Sequence, residues 1–271
     1  MEMNIGFGQD SFVKFHEDGH RYVDNENHNY SSVSKLLNSI EEPFDAKAVS
    51  MMMATAESKR TGKPKGMIQL RILAEWDKKR EDSLDKGNWI HDNLESFHKL
   101  GTYDDKLGPV VSKLQSYYSD YYRTYSEVLL FSRKYKIAGQ CDLAVQRQRR
   151  GGLFDFYDFK TNQARGIEFD TINRKKDPWK HYNRMLLSPL EHLEACNYNR
   201  YSLQLSLYAL LAEMQYGIKV GKLGILFIDN DLELHKYPVI YMRHAAICMI
   251  NHSASLKPLP EKKKKEDKFI W

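Results

Sequence analysis

The sequence is poor in cysteine, lacks long apolar runs and carries none of the common nucleotide motifs. Only Cys141, Cys196 and Cys248 occur in 271 residues. They are too few and too far apart for a zinc spacing, an iron–sulfur quartet or a disulfide framework. A reducing compartment is the default for such a chain. No apolar stretch is long enough to span a bilayer. The opening residues, MEMNIGFGQD, have neither the basic nor the apolar region of a secretory leader. The expectation is therefore a cytoplasmic protein without a membrane partner. No Gly-x-x-x-x-Gly-Lys-Ser/Thr occurs, so no ATP site of that kind is expected, and no internal repeat is visible. Charge of neither sign dominates: the formal net charge is +5, which permits a polyanionic partner without requiring one. Much of the excess lies in four lysines at 262–265, read either as a solvated end or as a nucleic-acid contact.

What is present reads as alternating helices and strands. Residues 11–23 alternate around Asp18 and Gly19, a hairpin signal. Ser31 and Ser32 offer N-caps for a short helix ending near Pro43. Residues 44–80 are helix-prone, with a turn predicted at Gly62, Pro64 and Gly66. Another helix is predicted over 81–100. A tyrosine-rich helix is predicted over 108–126, with Tyr117, Tyr118, Tyr121, Tyr122 and Tyr125 as a packing stripe or a base-stacking platform. Strands follow over 127–146 and 153–160, joined by a polar turn at 147–152. Residues 162–196, with Pro178 and Pro189, read as an insertion or lid of low regularity. Residues 198–216 form an amphipathic helix closed by Gly217. Strands return over 223–242, and a last helix covers 243–256. The expected fold class is α/β, a mixed central sheet flanked by helices. An N-terminal elaboration (1–80) packs on a core (81–256) that is followed by a basic tail (257–271).

Chemistry concentrates at the end of one strand. Residues two apart on a strand share a face, so Asp158 and Lys160 point the same way as Phe154 and Phe156. The bland alternative is an ion pair at a sheet edge. The preceding strand weakens it: if the turn at 147–152 folds that strand back, Asp142 lands near Asp158. Two carboxylates then converge beside an ammonium, an arrangement that a divalent cation relieves. Gly139 would let backbone approach closely. Asp155, on the opposite face, should be dispensable to chemistry.

This pattern, Gly139-x-x-Asp142 followed by Asp158-x-Lys160, resembles the PD-(D/E)XK nuclease superfamily. Two further matches point to its RecB-type and phage exonuclease branch. Gly87-Asn88-Trp89-Ile90-His91 resembles that branch's Gly-x-x-x-His helix, and Gln204 with Tyr208 resembles its Gln-x-x-x-Tyr helix. Without the resemblance, His91 reads as a structural histidine and Gln204 and Tyr208 as an exposed stripe. The matching region spans about 85–217. Cys141 stands where the superfamily's name has proline, and Asp158 where glutamate is commoner.

The resemblance implies a restriction-endonuclease-like core and a divalent-metal-dependent DNA nuclease. It implies one or two Mg²⁺ or Mn²⁺ ions held by His91, Asp142, Asp158 and the backbone carbonyl of Phe159, with Lys160 acting on the attacking water or the developing charge. Gln204, Tyr208 and Tyr201 would contact the DNA. Glu95, one turn after His91, and Glu127, at the start of the strand leading to Asp142, are further candidates or plain surface acids. The implied partners are DNA and a single-strand annealing or single-strand-binding protein. The implied setting is the cytoplasm of a bacterium or a phage-infected host, with neither an iron–sulfur cluster nor ATP. The leading expectation is an exonuclease of phage-type recombination, repair or replication. A structure-specific endonuclease, an inactive DNA-binding relative and a hydrolase of another polyanion are the alternatives. Nothing in the sequence fixes cutting polarity, strand preference or oligomeric state.

Overall fold

A computed structural model describes residues 10, 12–149, 152–161 and 185–255. The lysines at 262–265 and residues 162–184 of the expected insertion lie outside the described residues. Eight strands and six α-helices are described. They are β1 (Val13–His16), β2 (Arg21–Asp24), β3 (Asn29–Ser32), α1 (Val33–Ser39), α2 (Ala46–Thr61), α3 (Lys65–Leu100), α4 (Gly108–Tyr118), β4 (Arg123–Ser132), β5 (Ile137–Gln146), β6 (Leu153–Lys160), α5 (Asn197–Tyr216), β7 (Lys219–Ile228), β8 (Leu234–Val239) and α6 (Arg243–Ser255). The fold is α/β, with one mixed sheet flanked by helices. No helix of the described residues is long and apolar enough to cross a membrane.

Sheet order is β1-β2-β3-β5-β6-β7-β8, with β4 on the other edge of β5. β4 runs along β5 from end to end. The opposite edge of β5 is therefore shared. β3 takes Ile137 and Ala138 in parallel, and β6 takes residues 143–146 antiparallel. Gly139, Gln140, Cys141 and Asp142 fall in the fork between the two. β6 continues in parallel with β7, a connection that crosses over through α5.

Each face of the sheet buries its own core. On one, α1, α5 and α6 cover Ile137, Cys141, Ala144, Phe154, Phe156 and Ile225. On the other, α3 and α4 cover Leu143, Val145, Tyr157, Phe159 and Leu226. Ile90 and Leu94, one turn apart and fully buried, fix the C-terminal half of α3 on this second face. Each contributes about 1.5–3 kcal/mol and sets the direction of His91 between them.

The structure departs from the sequence expectations in four places. Residues 81–100 are not a separate helix: α3 runs unbroken from Lys65, with Gly66 and residue 80 inside it. The tyrosine-rich helix stops at Tyr118, because β4 claims the chain from Arg123 for a ten-residue ladder. Tyr121, Tyr122 and Tyr125 therefore leave the helical stripe. The described part of the expected lid is packed rather than loose. Leu186 and Leu190 are buried, and Leu187 N–H donates to the Ile40 carbonyl at 2.7 Å. β1 and β2 form the expected hairpin, but it extends to β3, whose two-residue pairing with β5 joins it to the main sheet.

Asp155 has a structural role that its position on the strand does not reveal. It does lie on the opposite face from Asp158, yet it is fully buried. Its carboxylate accepts from Arg147 Nε at 2.9 and 3.0 Å, from Tyr121 Oη at 3.1 Å and from Lys222 N–H at 2.6 Å. A Cβ on Gly221 would stand 2.2 Å from Asp155 Oδ1, so β7 needs glycine there. The carboxylate thus ties β6, β7 and the link between α4 and β4 together. Asp155→Ala strands Arg147 and a backbone donor, and such losses cost about 3–5 kcal/mol when a buried pair is broken. The partial exposure of Arg147 points to the lower end. Urea unfolding is expected to show this loss, and a change below about 1 kcal/mol contradicts the role.

Candidate metal centre

The site forms where pleat alternation slips. On β4, Tyr125 and Val128 face the same core although they are three residues apart. On β5, Cys141 and Ala144 do the same. Both slips fall at one rung. Ser126 pairs Leu143 and Val128 pairs Cys141, which sets Glu127 across from Asp142. Glu127 has φ 49°, a left-handed conformation that costs a non-glycine residue about 1–2 kcal/mol. On the other edge, Leu143 pairs Tyr157. One step on, past the last ladder pair, Asp142 faces Asp158. Three carboxylates, Glu127, Asp142 and Asp158, therefore stand abreast on three neighbouring strands.

The fork explains how Asp142 is held. Beyond Tyr157 the β5–β6 ladder has ended, and Phe159 N–H donates instead to Asp142 Oδ2 at 2.6 Å. His91 Nδ1 of α3 lies 3.8 Å from the same oxygen, its ring edge-on to Phe159 at 6.0 Å. Gly87, one turn earlier, is where α3 passes close to the end of β6: a Cβ there would meet Thr161 Oγ1 at 3.3 Å. From the other face, Gln204 Nε2 of α5 donates to Asp158 Oδ1 at 3.0 Å and lies 3.2 Å from Tyr208 Oη. Lys160 pairs with Asp158 Oδ2 and stands 5.0 Å over the Tyr201 ring.

Burial makes this crowding costly. Asp158 is 2% exposed and Asp142 9%. Burial pushes the Glu127 carboxyl up to about 8, helped by the charges of Asp142 and Glu95. Burial and the Asp158 charge push Asp142 up to about 6, against the pull of His91, Lys160 and the Phe159 N–H. Burial alone would lower the Lys160 ammonium, but Asp158 and Asp142 outweigh it and hold it above its ordinary value.

Ligand atoms of His91, Glu127 and Asp142 all lie within 4.8 Å of one another. One imidazole and two carboxylates with raised pKa values fit a hard divalent ion, which would replace protons as the neutralising charge. Among the described residues two other groups have this composition, but there hydrogen bonds outweigh burial and hold the Asp24 and Asp229 carboxyls below their ordinary values. Asp24 accepts from the N–H groups of Glu26 and His28 and from Lys136. Asp229 accepts from the N–H groups of Asp231 and Glu233 and bonds His235.

The sequence-derived residues are thus distributed unevenly. Asp142, Asp158, Lys160 and His91 converge. Glu127, ranked low by sequence, is mid-strand in β4 and joins them. The hairpin register, with its turn at 133–136, is the signal that would have raised it. Glu95 is turned to Lys99, one helical turn on. Phe159 meets the site through its N–H. Tyr208 is only 4% exposed, so the expected direct DNA contact is replaced by a contact to Gln204. Gly139 does make room, but for side chains: a Cβ there would lie 2.6 Å from the Tyr208 ring and 2.9 Å from Val33.

No protein-family model matches the chain. Comparison with curated proteins finds no relative. Among solved structures the chain is similar to SSO0001, at 14% identity and TM-score 0.32 over 82% of each chain. It is also similar to a protein from Eubacterium rectale provisionally named an exonuclease, at 13% identity and TM-score 0.35 over 82% of this chain and 77% of that one. Likeness at this level carries no argument.

The raised carboxyls set a pH dependence. An unfolded glutamate ionises near 4.5, whereas folded Glu127 keeps its proton to about 8. The folded state then binds more protons across that window, so metal-free stability falls as pH rises from about 4.5 to about 8. Glu127→Gln removes part of that slope. At pH 8 in chelator it is expected to raise stability by roughly 1–3 kcal/mol, about 2–4 °C for each, and to weaken the stabilisation that Mn²⁺ gives the parent. Thermal melts with and without Mn²⁺ measure both, and a variant that is less stable than the parent in chelator contradicts the account.

Proposed function

We propose that the chain is a divalent-metal-dependent phosphodiester hydrolase. Within that class we read it as a DNA nuclease, an exonuclease of phage-type recombination or repair. The observation that carries the reading is the convergence of Asp142, Asp158, Lys160 and His91 at the β5–β6 fork, within reach of Glu127. Carboxylates and an imidazole crowded beside a buried ammonium suit a substrate that is itself an anion and needs charge stabilised as it reacts.

Asp142, Asp158, His91 and Glu127 would hold the ion, Mg²⁺ or Mn²⁺, with the Phe159 carbonyl as a further ligand. When bound, the ion would lower the pKa of a water and polarise the scissile phosphate. Lys160, kept charged by its acidic neighbours, is suited to donating to phosphate oxygens as negative charge builds, rather than to taking a proton from water. Its ammonium is held between Asp158 and the Tyr201 ring and is therefore positioned before substrate arrives. Gln204 orients Asp158 through Oδ1, and Tyr208 orients Gln204. DNA is the substrate in this reading, with a single-strand annealing or single-strand-binding protein as its working partner.

Asp158→Ala and Lys160→Met separate binding from chemistry. Asp158→Ala is expected to lose both Mn²⁺ binding and cleavage of end-labelled duplex. Lys160→Met is expected to keep Mn²⁺ binding by calorimetry and lose at least about 100-fold in cleavage rate. Circular dichroism checks that both variants fold. Wild-type rates in either folded variant would sink the proposal.

A further inference from the structure

The turn between α2 and α3 carries charge that the fold does not use. Lys59, Arg60, Lys63 and Lys65 cluster there, all exposed, and residues 58–66 contain no acid. Among the described residues none of the four makes an ion pair. The nearby Glu57 is taken by Arg71 at 2.7 Å. Lys59 and Arg60 suit the C-terminal turn of α2, where cations are favoured. Helix electrostatics does not account for the other two. Lys63 lies in the turn after Gly62, which has φ 71°, and Lys65 opens α3, where a cation is disfavoured. The hairpin buries little beyond Ala54, Ile68, Ile72 and Trp76, so its far end is an arm rather than part of the core.

That arm is fixed to the metal centre by one helix. α3 runs without a break from Lys65 past His91. The interval of 26 residues (91 − 65) at a rise of 1.5 Å places the two about 39 Å apart along the axis. We propose that the α2–α3 turn is a second contact for the phosphate backbone of duplex DNA, set at this distance from the cut. The inference rests on the nuclease reading above. At 3.4 Å per base pair the arm spans about 11–12 base pairs, a length over which duplex is stiff. A stiff ligand can meet two sites on a stiff arm in fixed register.

Lys63→Glu/Lys65→Glu tests this without threatening the fold, because an acid at the start of α3 agrees with the helix dipole. Lys63→Gln/Lys65→Gln serves as the milder variant. Binding of a 30-base-pair and an 8-base-pair duplex is measured by fluorescence anisotropy in chelator across a salt series. The short duplex, about 27 Å long, cannot reach the turn from the site, and at that range the altered charges are screened. On the long duplex both variants are expected to bind at least 10-fold more weakly, with the slope of log K against log salt smaller by about 1.8. On the short duplex they should match the wild type. Equal binding of the long duplex by wild type and variants overturns the proposal, as does an equal loss on both duplexes. Metal-dependent cleavage by the wild type, assayed in parallel, tests the nuclease reading separately.

Discussion

Mutual repulsion among Glu127, Asp142 and Asp158 is the constraint around which the centre of the molecule is arranged. Three carboxylates on adjacent strands, two of them nearly sealed from water, cannot all ionise without a compensating cation. Lys160 supplies one positive charge, bound to Asp158. Asp142 and Glu127 are left to share protons with solvent or to share an ion. Burial first, and then the neighbouring charges, raise the carboxyls of both residues.

The sheet topology creates the place where such crowding is tolerated. An uninterrupted ladder would occupy the backbone donors of β6 and point successive side chains to opposite faces. Because β3 and β6 divide one edge of β5, the strands separate at Asp142, and its carboxylate takes the Phe159 N–H in place of a ladder acceptor. The paired slip in β4 and β5 then lets Glu127 and Asp142 meet at one rung. Each face contributes a brace. α3, anchored by Ile90 and Leu94, brings His91 from one side. α5 brings Gln204, backed by buried Tyr208, from the other. Gly139 leaves the space that Tyr208 fills, which links a glycine on β5 to the orientation of Asp158 through two side chains.

The fold class and much of this centre were legible in the sequence because they depend on short-range periodicity. The two-residue repeat placed Asp158 and Lys160 on one face, and the turn at 147–152 brought Asp142 to them. The capping signals of α1 and α5 were local too. What escaped depended on contacts distant in sequence. The end of α4 is decided by pairing with β5, not by tyrosine spacing. The structural role of Asp155 was hidden because its partners Arg147, Tyr121 and Lys222 come from three other segments. Glu127 was undervalued because its importance arises from register and an unusual φ. Tyr208 looked like a surface contact because one helix face cannot reveal that the neighbouring sheet covers it.

The central claim is that the crowded carboxylates at the fork hold a divalent ion. Crystals soaked in Mn²⁺ and measured for anomalous scattering test it most directly. The account predicts a peak between Asp142 and its acidic neighbours, with carboxylate oxygens at about 2.1 Å. A peak only at the Asp24 or Asp229 cluster, or none near Asp142 at saturating Mn²⁺, would contradict it.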